Sequence, residues 1–357
     1  LALNRGDDGA RITNPVGSSD PGTSGAVTPT APASAPNTFP AAGTTPENFL
    51  IVGADSDACV DPDSAWAGAA DPARSGTRSD TIMILRLDPT TRRAAVLSFP
   101  RDLWVDIPGH GNRRINSAYV PGDYSLLAAT IYDNFGIAVD HYVQVDFCAF
   151  KRIVDAVGGV AVPFATPVVD RQVGLSITAP GCHTFSGDEA LAYVRSRHLR
   201  WVDSDGVTHE DPTADFGRIL RQQDFLRRLL DKATTAGLFD PAVAGALIES
   251  LQQDVVTEAG FAIEDMLRVV GTLKDVDPAA IAHYRIDAEP LVVSGNAVLR
   301  PVTDTPAMTA VLATFRGDAP ISETPTSATG DTTATTQPVT HQDPPIGAIA
   351  PVPNMDC

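Results

Sequence analysis

The sequence predicts an α/β fold, a central mixed β-sheet flanked by α-helices in an α/β/α sandwich. Three observations carry this. Short apolar runs alternate with stretches of helical spacing, turn or capping residues separate them, and the alternation is confined to residues 48–317. Residues 48–54 (NFLIVGA) form an apolar run that ends at an acidic turn and read as the first strand. Residues 81–87 (TIMILRL) and 94–99 (AAVLSF) are two further strands, and Asp88-Pro89-Thr90-Thr91-Arg92 between them predicts a hairpin. Residues 123–135 have helical spacing, 142–145 read as a strand, and 148–157 (CAFKRIVDAV) as a helix closed by Gly158-Gly159. Two more strands are expected at 160–163 and 175–178. Ser186, with Glu189 three residues on, makes a capping box for a helix that runs into Tyr193-Val194-Arg195. Residues 215–234 are the clearest amphipathic helix, with Phe216, Ile219, Leu220 and Leu226 apolar.

Composition limits what such a fold could do. The 357 residues carry 26 Lys and Arg against 44 Asp and Glu, a formal net charge of −18. An acidic chain is not a sequence-independent nucleic-acid binder, because that affinity comes from neutralised phosphates. Only Lys151, Lys232 and Lys274 are lysines; the bias to arginine fits either codon usage or a need for planar forks that grip phosphate oxygens. Residues 1–47 are rich in Pro, Ala, Gly, Thr and Ser, and 318–357 read likewise and hold no Lys or Arg. Neither stretch offers enough apolar surface to offset chain entropy, so both are expected to be disordered tethers around one folded domain, 48–317. No apolar run approaches the ~20 residues of a membrane-spanning helix, and the chain opens at Leu1 rather than Met. A preceding segment is therefore expected to be missing. Cys59, Cys148, Cys182 and Cys357 lack CxxC spacing, which speaks against zinc and leaves disulfides or buried thiols open.

Polar residues gather where the elements end. Asp55 follows the first strand and Asp80 precedes the second, so two carboxylates can converge at one sheet edge. Such a pair can share a hard divalent cation that keeps most of its waters beside a phosphate; taken singly, each is also an ordinary turn residue. Arg101 follows a strand, Arg113-Arg114 add a second basic point, and Arg195-Ser196-Arg197 close a helix. Arg218, Arg221 and Gln222 stand at i, i+3 and i+4, on one helical face. Helix-end pairing and a solvated charged face account for each group separately. Together they suit an anion with many oxygens, such as a diphosphate.

The ordered strings are more specific. GADSD (53–57), TRSDTIMIL (77–85), SFPRD (98–102), RINSAY (114–119), VDFCAF (145–150), DAVGGV (155–160), GDEALAYVRSRH (187–198) and DFGRILRQQ (215–223) occur in this order. Together they closely resemble the LytR-CpsA-Psr family of cell-wall glycopolymer transferases, over roughly residues 48–236, with 240–316 a less diagnostic extension. The resemblance implies an extracytoplasmic enzyme anchored in the membrane by an N-terminal helix. Such an enzyme moves a glycan phosphate from a polyprenyl diphosphate carrier onto peptidoglycan, forming a phosphodiester and releasing polyprenyl phosphate. It implies Asp55 and Asp80 as Mg2+ ligands and Arg101, Arg195, Arg197 and Arg218 as catalytic diphosphate clamps, with Gln222, Arg114, Arg221 and Arg78 also contacting the diphosphate. Asp215 is given an orienting role. Arg114 stands where many members carry Lys, and the long loop 56–77 is a further departure.

An apolar slot for the lipid is expected between the sheet and the long helix. Outside the cytoplasm Cys148–Cys182 is the preferred disulfide, since both residues belong to the folded part, with Cys59 and Cys357 left paired or free. A lipid diphosphate hydrolase and a non-catalytic polyprenyl phosphate-binding regulator are the alternatives.

Overall fold

The computed structural model describes residues 38–55, 79–203, 205–252, 254–321 and 357. Strand β1 (Glu47–Ala54) precedes the hairpin of β2 (Ser79–Asp88) and β3 (Arg93–Ser98) and a smaller one of β4 (Trp104–Ile107) and β5 (Gly111–Arg114). Helix α1 (Ser125–Phe135) leads to β6 (His141–Asp146) and α2 (Phe147–Ala156), then to β7 (Val160–Phe164), β8 (Val168–Asp170), β9 (Leu175–Ile177) and β10 (Gly181–Phe185). Helix α3 (Gly187–Arg195), the short β11 (Arg200–Val202) and β12 (Thr208–Glu210), and the long α4 (Asp215–Thr235) follow. Then come α5 (Pro241–Leu251), β13 (Val255–Thr257), α6 (Ile263–Leu273), β14 (Ala282–Arg285), β15 (Ala288–Val293), β16 (Asn296–Pro301) and α7 (Pro306–Arg316).

The central sheet has the order β13-β6-β1-β2-β3-β14 and is mixed: β1 pairs parallel with β6 and antiparallel with β2. Its strands are apolar on both faces because both faces are covered. Leu50, Val52, Ile84 and Leu97 point to a core shared with Leu127 and Ile131 of α1 and Leu312 and Phe315 of α7. The alternate residues Phe49, Met83, Leu85 and Val96 point to the opposite layer, where Leu226 and Leu230 of α4 and Met266 and Val269 of α6 meet them. This is the expected sandwich.

A second core joins β7 and β10 to α2, α3 and α4 around Val160, Phe185, Tyr193 and Phe225. The predicted capping box opens α3, with Glu189 Oε2 accepting from Ser186 N at 3.0 Å. Gly187 is required at its first turn: a Cβ there would lie 2.5 Å from the Lys151 carbonyl oxygen, so α3 rests directly on the α2 backbone. The four-stranded sheet β12-β11-β8-β9 is built from three-residue strands. Such strands are too short to show an alternation, so only β9 among them was expected.

The cysteines pair differently from expectation. Cys182 is bonded to Cys357, with the Cα atoms 5.7 Å apart, and not to Cys148, which is also in a disulfide. Cys148 lies buried on α2 while Cys182 is on the exposed side of strand β10, where it faces Cys357. Cys59 lies outside the described residues.

Candidate active site: an arginine-carboxylate cluster beside an apolar slot

Asp80 occupies the centre of the site because of a register irregularity. Gly53 pairs with Thr81 and Ala54 with Ser79, so Asp80 is the extra residue of a bulge at the end of the β1/β2 ladder. Bulges of this kind re-aim a side chain and end the pairing. Asp55, immediately after β1, lies at the same edge and feels the Asp80 charge.

Three guanidinium groups converge on Asp80 from three elements. Arg101, in the turn after β3, places Nη1 2.6 Å from Asp80 Oδ1, and Arg197, just beyond α3, bonds Oδ2. Arg218, from the first turn of α4, donates from Nη2 to the Asp80 carbonyl at 2.7 Å and holds Nη1 3.5 Å from Oδ2. Asp215 is shared too: Arg218 Nη2 is 2.8 Å and Arg197 Nε 3.5 Å from its Oδ1, close in charge but off the axis of a hydrogen bond. Asp102 links Arg101, at 3.4 Å, to Arg114, at 2.9 Å. Arg114 also donates to the Ala297 carbonyl on β16.

The electrostatics divide the two acids. Burial opposes ionisation of Asp80, but Arg197, Arg218 and Arg101 outweigh it and hold its carboxyl below the usual range. Burial, and then the Asp80 charge, push Asp55 up to about 6. Arg218 is 2% exposed; that burial brings its guanidinium down to about 10 despite Asp215. The buried Nε atoms of Arg101 and Arg218 have no hydrogen-bond partner among the described residues. The Arg101 Nε faces Asp102 at 3.4 Å, and guanidinium forks gathered this closely around shared carboxylates suit an oxygen-rich anion. The two carboxylates fit a hard cation: they offer oxygen donors only, and a dication would relieve the burial penalty on Asp55. The other grouping of potential ligands among the described residues, Asp146, Cys148 and Asp254, offers no thiolate because Cys148 is oxidised.

Arg195 and Gln222 stand at the seam between this cluster and a cavity of 270 Å³. Ile51 and Met83 of the sheet, Phe150 and Ile153 of α2, and Phe225, Leu226 and Leu229 of α4 line it, which is where the apolar slot was expected. Arg195 lies over the Phe147 ring, 4.4 Å from its centroid. Gln222 donates to Thr81 Oγ1 at 2.9 Å and to the Val194 carbonyl at 3.1 Å.

The predicted residues do not all arrive at one place. Asp55, Asp80, Arg101, Arg197, Arg218 and Asp215 assemble as described, Arg195 and Gln222 sit at the slot mouth, and Arg114 flanks them at the rim. Arg221, expected on an anion-binding face, is instead 1% exposed in a closed pair with Asp211 Oδ2 at 2.9 Å and bonds the Ser196 carbonyl. Arg78 and the loop 56–77 lie outside the described residues.

Two carboxylates were not anticipated. Asp211 fills the space below α4 so tightly that a Cβ at Gly217 would lie 2.2 Å from its Oδ2, which explains the glycine of the DFGR string. Asp170, buried, accepts from Ser196 Oγ, Arg197 N and His198 N at 2.7, 3.2 and 3.0 Å and so fixes the Arg197 turn. Asp211 could have been noticed from Asp211-Pro212-Thr213, a turn sequence directly before a helix.

The comparisons with known proteins agree with this architecture. The LytR_cpsA_psr family model matches residues 9–313. The probable cell wall biosynthesis protein LcpB of Corynebacterium glutamicum is 37% identical over 197 residues, covering 55% of this chain and 44% of that protein. The polyisoprenyl-teichoic acid–peptidoglycan teichoic acid transferase TagU of Bacillus mycoides is 32% identical, covering 53% and 58%. The chain thus spans about half the length of the curated relatives it matches. Among solved structures, the LytR-Csp2A-Psr enzyme from Actinomyces oris superposes with a TM-score of 0.58 at 23% identity, covering 78% of this chain and 96% of that one. The fold, the ordered motifs and a family match across most of its length establish that this chain belongs to the LytR-CpsA-Psr family.

Proposed function

We propose that the protein transfers a glycan phosphate from a polyprenyl diphosphate carrier to a peptidoglycan hydroxyl outside the cytoplasmic membrane. One observation carries the reading: a cluster of arginines around Asp80 opens, through Arg195 and Gln222, directly onto an apolar slot. A ligand that fills both halves has an anionic head and a hydrocarbon tail. TagU, by its name, acts on a polyisoprenyl-linked polymer and peptidoglycan, and disulfides at Cys182 and Cys148 fit an oxidising compartment.

In this reading the acceptor hydroxyl oxygen attacks the phosphorus next to the glycan. The bond from that phosphorus to the bridging oxygen breaks, polyprenyl phosphate departs with the electron pair, and the hydroxyl proton passes to solvent. Arg101, Arg197 and Arg218 stabilise the charge that builds on the transferring group, and Arg195 that on the leaving phosphate. Asp55 and Asp80 would hold Mg2+, which when bound neutralises phosphate charge. Asp215 keeps the Arg218 and Arg197 forks aimed. The test supplies a lipid-linked glycan, Mg2+ and peptidoglycan and looks for the phosphodiester product by mass spectrometry. Release of glycan phosphate independent of the acceptor would instead favour a hydrolase. Binding of the carrier without turnover would favour a regulator.

A further inference from the structure

A second cavity, of 750 Å³, lies over the outer face of the four-stranded sheet. The register gives its floor. Ser176, Val169, Arg200 and Glu210 form one cross-strand row, while the alternate row, Ile177, Val168 and Trp201, faces the second core. The floor is therefore mixed: Val169 lies between Ser176 and an Arg200 paired with Glu210 at 2.8 Å, with Thr208 beside it and the exposed Arg171 and Gln172 at one rim. A volume of this size is in the range of ligand sites, ~300–1,000 Å³. Hydroxyls, a side-chain amide and the exposed Arg171 fork suit a polyol that carries carboxylates.

The cavity is mechanically continuous with the active site. Asp170 lines it and also accepts the backbone N–H groups of Arg197 and His198. The chain passes from the slot wall at Val194 and Arg195, through Arg197 on Asp80, to the cavity wall at His198, Arg200 and Val202. If the slot takes the carrier chain and the cluster its diphosphate, the flank beyond the cluster is left for the attacking group. In-line displacement requires the nucleophile and the leaving group on opposite sides of phosphorus.

We infer that this cavity binds the acceptor, an amino-sugar strand with carboxylate-bearing side groups, and delivers its hydroxyl to the cluster. The inference rests on the transferase reading and adds the acceptor's location to it. Two measurements test it, both with soluble peptidoglycan strand fragments. The first is calorimetric titration of fragments into donor-free protein; the second is the acceptor and donor KM in the transfer assay. Ser176→Trp, which fills the floor, is expected to weaken fragment binding and raise the acceptor KM, each at least tenfold, with the larger change on the acceptor side. Arg171→Glu, on the exposed rim, provides the same test should Ser176→Trp not fold. Equal binding by wild type and variants, or a rise in donor KM instead, would overturn the inference. Transfer with no effect of either variant sinks the cavity assignment alone. Fragment binding that is sensitive to the variants but without transfer sinks the transferase reading alone, and absence of both sinks the two together.

Discussion

Arg218 and Arg221 are one helical turn apart on α4, equally buried, and differently employed. Around Arg218 every carboxylate is shared: Asp80 by Arg101, Arg197 and Arg218, Asp215 by Arg218 and Arg197, and Asp102 by Arg101 and Arg114. Around Arg221 a single carboxylate, Asp211, meets a single guanidinium in ion-pair range. A closed pair leaves no charge to offer, and its role is to hold Ser196, the residue between two site arginines, by its carbonyl. Arg218 and Arg221 both keep a buried Nε without a hydrogen-bond partner among the described residues, so a spare donor does not separate them; the open cluster differs in sharing its carboxylates among four arginines, an arrangement suited to a further anion. Burial alone therefore does not distinguish a structural arginine from a functional one; the ratio of partners does.

That contrast predicts which measurement each residue moves. The largest effect is expected for Arg101→Ala, which should lower the transfer rate by about 10²–10³-fold, as loss of one charge-stabilising donor does, while the melting temperature stays near wild type. A collapse of the fold instead would make Arg101 a structural residue like Arg221. Asp211→Ala should do the reverse. It strands a buried guanidinium and should cost about 3–5 kcal/mol of stability, read by denaturant unfolding, whereas exchanging Asp211 and Arg221 together for apolar residues should recover much of that loss. In the slot, Leu229→Trp should raise the donor KM about tenfold for long-chain carriers and little for short-chain ones; equal effects on both would count against a lipid in this cavity.

The smallest expected effect is a gain. Asp55 has a folded pKa raised from 3.8 to about 6, so its stabilising share is fully present below about pH 3.8 and is lost as pH rises through 6. At pH 7.5 its charge is a cost, at most about 3 kcal/mol from the shift and, after solvent screening, on the order of 1–2 kcal/mol. Asp55→Asn in chelator should therefore raise the melting temperature by a few degrees at pH 7.5 and by nothing near pH 4. Added Mg2+ should stabilise the wild type and not the variant. Identical melting of both proteins with the metal would remove Asp55 from the proposed ligand set.

Much of this was legible along the chain because it is local. The β2/β3 turn, the Ser186 and Glu189 cap and the α4 periodicity each lie within a few residues, and each formed within a residue or two of its expected bounds. Position at the end of a strand made Asp55 and Asp80 candidates, and the ordered motifs, themselves local strings, supplied their expected role. What was hidden depends on chain partners far apart. The bulge that singles out Asp80 exists only in the pairing of β1 with β2. The partner of Arg221 lies ten residues before it, on a loop with no periodic signal. Cys182 meets a residue 175 positions away, a distance at which spacing carries no information.

That last bond makes a covalent ring of residues 182–357. Arg195, Arg197, Asp215, Arg218 and Gln222 belong to the ring, whereas Asp55, Asp80 and Arg101 lie before it, so the site joins a closed loop to a separate stretch of chain. A backbone cut anywhere inside the ring opens it without releasing a piece. A nicked molecule would migrate whole on a non-reducing gel and separate into fragments only when thiol is added, and its arginines would stay tethered to the acids they serve.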